Sequence, residues 1–227
     1  MKVVEQQPNF LVVDDFLPSS QFDRLAAYVD TEDYSFVQVD EWQRVWRLHD
    51  GRPLEGPLFL SRAPDGSRYP AYPTGKPIDI LFEALTDHVD LFRQQVGEDW
   101  DLFTARPFLY PAETGLSWHV DQDNSQTMLR TGAYTYYTHR SWNVLWGGEL
   151  MISREREAQD CGILDNQAEN ASLMQDGFGH YVLARPNRLV VLAGWAPHRI
   201  ARVDRCAGHH VRSSISGFFL KIPEESA

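Results

Sequence analysis

His119 and Asp121 lie two residues apart in the stretch WHVD, residues 118–121. On an extended strand, side chains two residues apart leave from the same face, so this imidazole and this carboxylate project together. Val120 between them points the other way, into apolar packing. An imidazole and a carboxylate are two of the three ligands of a 2-His-1-carboxylate site, which holds ferrous iron and leaves positions open. The pattern alone also fits a surface histidine paired with an acid.

Later residues could complete such a site. His198 follows the segment GWAP, residues 194–197, and opens a predicted strand. Arg212 and Ser214 lie two residues apart on the last predicted strand, so they share one face. A buried guanidinium with a hydroxyl beside it suits the far end of a dicarboxylate, because guanidinium binds carboxylate through paired hydrogen bonds.

The composition indicates a globular chain with an acidic surface. Its 227 residues suit one domain over 1–227, and 43% hydrophobic residues, with seven Trp and twelve Phe, can build a packed core. The net charge of −11 repels phosphate backbones, so nucleic acid is not expected as a partner. No targeting pattern and no membrane-spanning apolar run are found, which favours a cytoplasmic location without a membrane partner. Cys161 and Cys206 show no metal-binding spacing.

The first hundred residues predict supporting structure for the site. A strand is expected within 9–17, followed by a helix whose Ser20 and Asp23 have capping-box spacing. Residues 50–77 contain six prolines and four glycines, which predicts an irregular excursion. That excursion either faces substrate or is a plain surface loop. One apolar stripe over 77–96 predicts a single helix.

From residue 101 onward the chain predicts short strands without intervening helices, which is typical of an antiparallel sandwich or barrel. The predicted strands are 102–110, 115–120, 132–138, 148–152, 181–184, 189–192, 198–203 and 211–220. Residues 153–180 lack periodicity and predict an insertion, either a cover for the barrel mouth or a solvated loop. The expected fold class is mainly β with flanking helices (α+β), with support over 1–100 and the core over 101–222.

The ordered motifs resemble the iron(II)- and 2-oxoglutarate-dependent dioxygenases, within them the prolyl-4-hydroxylase-like branch. The resemblance covers most of residues 9–220. Its pieces are VDDFLP (13–18), YPAETG (110–115), WHVD (118–121), YTHRSW (137–142), GGEL (147–150), PHR (197–199) and RSSISGFF (212–219). The resemblance implies a double-stranded β-helix core, of the jelly-roll or cupin-like kind.

Carried over position by position, the resemblance implies iron(II) ligands and a binding site for the C5 carboxylate of 2-oxoglutarate. The implied iron ligands are His119, Asp121 and His198, and the implied cosubstrate residues are Arg212, Ser214 and Tyr110. Prolyl hydroxylases commonly have Lys in place of Arg212, so the cosubstrate is better supported than a prolyl substrate. Related iron halogenases have a small residue in place of Asp121, so this carboxylate predicts oxygenation.

The implied reaction consumes O2 and 2-oxoglutarate, releases succinate and CO2, and oxidises a C–H bond of a small molecule by hydroxylation or ring closure. Aromatic faces that stack on sugars or cations, and polar groups flanking the motifs, give the candidate substrate contacts Trp118, Trp195, Glu113, Asp123 and His139.

The first hypothesis for the substrate is a bacterial secondary metabolite on the route to an antibiotic, with an aminoglycoside or oligosaccharide scaffold. A cationic sugar would suit the acidic chain. The alternatives are hydroxylation of peptidyl proline or a free amino acid and, without catalysis, a sugar-binding β-barrel. No sequence feature indicates an oligomeric state.

Overall fold

A computed structural model describes residues 1–37, 45–64, 66–122, 129–154, 171, 173–175 and 177–223, and the backbone of 162–163. The strands are β1 (Lys2–Gln7), β2 (Phe10–Asp14), β3 (Ser35–Phe36), β4 (Leu54–Glu55), β5 (Phe59–Leu60), β6 (Leu102–Tyr110), β7 (Leu116–Val120), β8 (Leu129–Tyr137), β9 (Leu150–Ser153), β10 (Gly162–Ile163), β11 (Gly179–Val182), β12 (Leu189–Ala193), β13 (His198–Ile200) and β14 (Arg212–Lys221). The helices are α1 (Ser19–Thr31), α2 (Asp79–Asp87) and α3 (Val89–Val96), with 3-10 turns at Leu48–Asp50, Val144–Trp146 and Arg205–Ala207.

The strands form two antiparallel sheets. The larger sheet has the order β1-β2-β12-β8-β14-β6-β4-β3, with β5 also paired to β6. The smaller sheet has the order β10-β7-β13-β9-β11. Within the described ranges, no helix is long and apolar enough to cross a membrane.

Eight of these strands build the core that holds the site. β6, β14, β8 and β12 lie side by side in the larger sheet, and β7, β13, β9 and β11 lie side by side in the smaller one. The chain moves between the two sheets as it passes from β6 to β14, which is the double-stranded β-helix arrangement. All eight strands predicted after residue 101 are present, each within three residues of its predicted ends.

Period-two alternation gives the two faces of the larger sheet different roles. On β14, Ile215 and Phe219 join the core cluster that packs against the helices. Arg212, Ser214 and Ser216 leave from the opposite face, toward the smaller sheet. Polar residues on this inner face are therefore enclosed between two sheets, where they need partners or ligands.

Two local predictions are wrong. The stripe over 77–96 belongs to two helices, since the backbone of His88 leaves the helical region between α2 and α3. The capping box at Ser20 is absent, because Pro18 is the N-cap of α1 and no side chain caps it. β1 was not predicted, since nearly all its side chains are exposed and no apolar alternation marks it. Residues 38–44 and most of the predicted insertion over 153–180 lie outside the described residues.

Gly217 on β14 has no space for a side chain. A Cβ atom at this position would lie 1.8 Å from the carbonyl oxygen of Thr104 and 2.8 Å from Cε1 of Tyr134. We expect Gly217→Ala to lower the free energy of unfolding by about 3 kcal/mol or more, because the strands must separate. Chemical denaturation measures this.

Gly56→Ala is the matched control, since its nearest atoms would be 3.4 Å away. It should change stability by less than about 1 kcal/mol. Equal effects of the two substitutions would contradict the close contact at Gly217.

Candidate metal centre and cosubstrate site

The two candidate histidine ligands are cross-strand partners in the smaller sheet. β13 pairs with β7 so that His198 lies directly opposite His119, and their ring centroids are 4.2 Å apart. Asp121 follows the end of β7, with one carboxylate oxygen 3.6 Å from Nε2 of His119 and the other 3.3 Å from Nε2 of His198. One ligand atom from each residue lies within 4.8 Å of the others, and all three side chains are buried.

Backbone carbonyls fix the orientation of both imidazoles. Nδ1 of His119 lies 2.7 Å from the carbonyl oxygen of Ser117, and Nδ1 of His198 lies 2.9 Å from that of Ala196. With Nδ1–H donating to these oxygens, each Nε2 lone pair is directed toward Asp121. This is the tautomer that a metal ligand requires.

The protonation states also suit a divalent cation. Burial raises the pKa of Asp121, but the neighbouring His198 and His119 outweigh burial and bring the pKa to about 2. Burial and the adjacent His119 lower the pKa of His198 to about 4. At neutral pH Asp121 is therefore a carboxylate and His198 a neutral imidazole, two of the donor types found in the 2-His-1-carboxylate sites that hold iron(II).

A buried acid braces the strand that carries His119. Asp50 accepts hydrogen bonds from Oγ of Ser117 at 2.9 and 3.0 Å, and its carbonyl oxygen accepts one from the Gly115 N–H at 2.9 Å. The carbonyl that orients His119 thus belongs to a residue whose side chain is also held. Sequence reasoning missed Asp50, which lies in the Pro- and Gly-rich excursion without a motif around it.

Arg212 is fully buried on β14 with part of its hydrogen-bonding capacity unused. Its Nε donates to the carbonyl oxygen of Gly148 at 2.9 Å and its Nη2 donates to the Tyr137 hydroxyl at 3.4 Å. Within the described part of the chain, Nη1 has no hydrogen-bond partner, nor has Oγ of the equally buried Ser214. Unpartnered buried polar atoms are costly. This pair therefore fits the distal carboxylate of a dicarboxylate.

Two tyrosines enclose that guanidinium. Its Cζ lies 5.1 Å from the ring centroid of Tyr110 and 4.8 Å from that of Tyr137. Burial raises the pKa of Tyr110 to about 12, so its hydroxyl stays neutral and able to donate a hydrogen bond. Tyr110 is opposite Arg212 in the register of β6 and β14 and also lines the central cavity.

A cavity of about 730 Å³ opens beside the three candidate ligands. Its walls come from both sheets and from the excursion, which contributes Leu58, Leu60, Pro64 and residues 66–69. Part of the predicted excursion therefore faces the site. A cavity of this size is typical of small-molecule sites.

Comparison with known families settles the family of the chain. Residues 105–220 match the family model described as the 2OG-Fe(II) oxygenase superfamily, which is half of the chain. The chain belongs to the 2OG-Fe(II) oxygenase superfamily. Like its family, this oxygenase is a dioxygenase that uses Fe(II), 2-oxoglutarate and O2. A search of curated proteins found no match.

Solved structures share the fold of this oxygenase at low sequence identity. A Trichoplax adhaerens prolyl hydroxylase, in complex with a hypoxia inducible factor peptide fragment, has a TM-score of 0.64 at 16% identity, covering 95% of this chain and 84% of that chain. A Pseudomonas putida prolyl-4-hydroxylase has 0.61 at 18%, covering 93% and 92%. HygX from Streptomyces hygroscopicus, with nickel and 2-oxoglutarate bound, has 0.57 at 14%, covering 93% and 82%.

Three of the candidate substrate contacts of this oxygenase, Trp118, Trp195 and Glu113, do not line the cavity. Trp118 neighbours His119 on β7 and so leaves from the opposite face, and neither it nor Trp195 lines the cavity. Glu113 is paired with Arg205 at 2.7 Å, on the protein surface. Asp123 lies outside the described residues.

Sequence reasoning did not select several other residues that line the cavity. These are chiefly Arg106 on β6, Arg130 and Thr135 on β8, and Ser216 and Phe218 on β14. Extending the period-two row from Arg212 and Ser214 along the last strand would have found the two β14 residues.

His139, the remaining substrate candidate, is buried behind Arg212. Its Nε2 lies 2.6 Å from the carbonyl oxygen of Ala184 and its Nδ1 lies 3.1 Å from that of Ser213. Burial and the charge of Arg212 lower its pKa to about 4, against the opposing effect of the two carbonyls. His139 is therefore buried near Arg212, and its neutral ring can donate a hydrogen bond to only one of the two carbonyl oxygens.

The lowered pKa of His139 predicts acid sensitivity of this oxygenase. The unfolded chain binds a proton near pH 6.5 and the folded chain only near pH 4, so stability is lost as pH falls between these values. The loss attributable to His139 is about 3 kcal/mol by pH 4. Urea unfolding between pH 7 and pH 4 measures it.

His139→Gln should flatten that pH dependence, although it lowers stability at pH 7. His209→Gln, at an exposed histidine, should leave the pH dependence as in wild type. An unchanged slope in His139→Gln would show that the ring is not held neutral.

Proposed function

We propose that His119, Asp121 and His198 hold the iron(II), and that Arg212 and Ser214, with Tyr110, bind the C5 carboxylate of 2-oxoglutarate. The observation that carries this is the pairing of a convergent Nε2/Nε2/carboxylate trio with two buried polar atoms, Nη1 of Arg212 and Oγ of Ser214, that lack hydrogen-bond partners within the described residues. The trio leaves coordination positions open. Arg212 and Ser214, here called the clamp, give the dicarboxylate one fixed direction.

In this proposal the chain's own residues bind, orient and shield. Iron(II) held there would supply the oxidising chemistry, in which O2 and 2-oxoglutarate are converted to succinate and CO2 as the substrate is oxidised. Ser117 and Ala196 carbonyls hold the imidazoles in the ligating tautomer. Tyr110 lies over Arg212 at the cavity wall, where apolar walls keep water from the clamp.

The proposed substrate is a small secondary metabolite, with a saccharide-bearing antibiotic scaffold as first choice, oxidised at a C–H bond by hydroxylation or cyclisation. Hydroxyl groups of Thr104, Thr135, Ser216 and Tyr110 line the cavity and suit a polyhydroxylated ring. A structure of HygX with hygromycin B bound shares the fold, at 14% identity and a TM-score of 0.56. The proposal includes a cytoplasmic location and one catalytic domain over 1–227.

Hydroxylation of peptidyl proline or a free amino acid is the second candidate. Two prolyl hydroxylases are among the structures that share the fold. Arg212, where prolyl hydroxylases commonly have Lys, makes it the weaker choice.

Coupled turnover tests the proposal. The purified chain, iron(II), 2-oxoglutarate and O2 are incubated with saccharide antibiotics, prolyl peptides or free amino acids, and succinate and product masses are measured. The first candidate expects succinate above background with a saccharide, and one product gaining an oxygen atom or losing two hydrogens per succinate. Succinate coupled instead to a peptide or amino acid would select the second candidate.

A further inference from the structure

The central cavity has the opposite charge from the chain as a whole. Its lining includes Arg68, Arg106 and Arg130, whereas Asp121 is the one carboxylate among its described lining residues. Asp121 is a ligand in the proposed iron site, so its charge is directed to the metal. The chain nevertheless has a net charge of −11. Cations gathered in a low-dielectric cavity concentrate a positive potential there.

Arg130 presents a guanidinium without an ion-pair partner. Its Cζ lies 4.1 Å from the centroid of the Phe218 ring, and no carboxylate of the described chain lies within ion-pair distance. Arg130 lines the same cavity as His119, Asp121 and His198. Stacking on the ring fixes the guanidinium plane and leaves the N–H edge for a planar acceptor.

Arg106 lies in a polar row that crosses three strands. Ser216 on β14 is opposite Arg106 on β6 and opposite Thr135 on β8, and the two hydroxyls share a hydrogen bond. Nη1 of Arg106 pairs with the buried Glu55, whereas its Nε is buried without a partner. A guanidinium has five N–H donors, so pairing with Glu55 leaves donors for a second acceptor.

This row is too far from Arg212 to bind the same cosubstrate molecule. Arg212 and Ser216 are four residues apart on β14, which is about 13 Å along an extended strand. The two carboxyl carbons of a five-carbon dicarboxylate are about 5 Å apart, from a C–C bond of about 1.5 Å. A 2-oxoglutarate molecule whose C5 carboxylate binds Arg212 is therefore shorter than the distance from Arg212 to Ser216 along the strand.

We propose that Arg106 and Arg130, with the hydroxyls of Thr135 and Ser216, form a second anion-binding subsite that takes a carboxylate group of the substrate. The inference rests on the proposed function and narrows its substrate class to small acids. A saccharide that carries a carboxylate fits this cavity. An aminoglycoside does not, because its protonated amines would lie against the cavity arginines without a counter-ion.

Binding without turnover tests the subsite. The protein is loaded with nickel(II) in place of iron and saturated with 2-oxoglutarate, so that both the metal and Arg212 are occupied. The probes are matched acid and amide pairs, glucuronate with glucuronamide and 1-naphthoate with 1-naphthamide. Their Kd values are measured by ligand-observed NMR. We expect each acid to bind at least about tenfold more tightly than its amide.

Variants assign that preference to the subsite. Arg130→Gln, which breaks no ion pair, should reduce the acid-to-amide ratio to within about threefold, and Arg106→Gln should reduce it as well. Arg130→Lys should retain part of the preference, because it keeps the charge but loses the fork. The surface variant Arg140→Gln should retain all of it, and thermal unfolding checks that each variant is folded.

Three results would each overturn the inference. The first is equal binding of acid and amide, or no saturable binding of either acid. The second is an acid preference that survives in Arg130→Gln. The third is displacement of the acids by added 2-oxoglutarate, which would place them at Arg212. None of these depends on turnover, so the proposed function can stand if the subsite fails. Failure of succinate formation would instead sink the proposed function.

Discussion

Replacing His119 by alanine is expected to lower succinate formation by at least about 10³-fold, because the proposed iron(II) site would lose one of its two imidazole ligands. The remaining His198 and Asp121 cannot hold iron(II) in the same geometry. Metal content after dialysis and succinate release in the presence of 2-oxoglutarate measure the two effects. Both should fall together.

His209→Ala is the matched control, since this histidine is exposed and its ring stacks on that of His210. It should bind one equivalent of metal and turn over 2-oxoglutarate as the wild type does. If His119→Ala kept wild-type metal content and succinate formation, the assignment of the iron site would be wrong.

Arg212→Gln is expected to raise the apparent KM for 2-oxoglutarate by about 100-fold. The substitution removes the charged donor that would bind the C5 carboxylate, and a charge-assisted hydrogen bond contributes about 1.5–3 kcal/mol. About 1.4 kcal/mol corresponds to each tenfold change. Steady-state kinetics over a wide range of 2-oxoglutarate concentrations measures the shift.

Stability must be followed alongside, because Gln at this buried position also loses the hydrogen bond to Gly148. Arg212→Lys separates the effects, since it keeps the positive charge and should raise KM much less. Arg140→Gln, at an exposed arginine paired with Asp23, should leave KM unchanged. An Arg212→Gln variant that is folded and has a wild-type KM would refute the clamp.

The core strands could be predicted from the sequence because a strand with one inner and one outer face shows a period-two alternation of residue types. β14 shows this well, since Arg212, Ser214 and Ser216 alternate with residues that pack against the helices. The interruption between helices α2 and α3 at His88 has no such signal in the sequence. The apolar stripes of α2 and α3 both face the same core, so hydrophobic spacing continues across the interruption.

The site was predictable only in part for a related reason. Sequence motifs selected His119, Asp121 and His198, and the structure brings these three side chains together. Trp118 was selected for its nearness to His119 in sequence, but its side chain leaves β7 on the other face. The net charge of the whole chain is negative, whereas the cavity lining carries three arginines and one carboxylate among its described residues. The cavity arginines come from strands and loops distant in sequence, and only the folded structure places them together.

The direct pairing of His198 with His119 across β7 and β13 has a consequence for how activity reports on folding. Side chains alternate along a strand, so a shift of β13 by one residue would turn His198 to the other face. The proposed iron(II) site would then have two ligands. A misaligned molecule would therefore be inactive rather than slow. The fraction of a preparation that binds metal stoichiometrically counts the molecules in correct register, independently of any substrate.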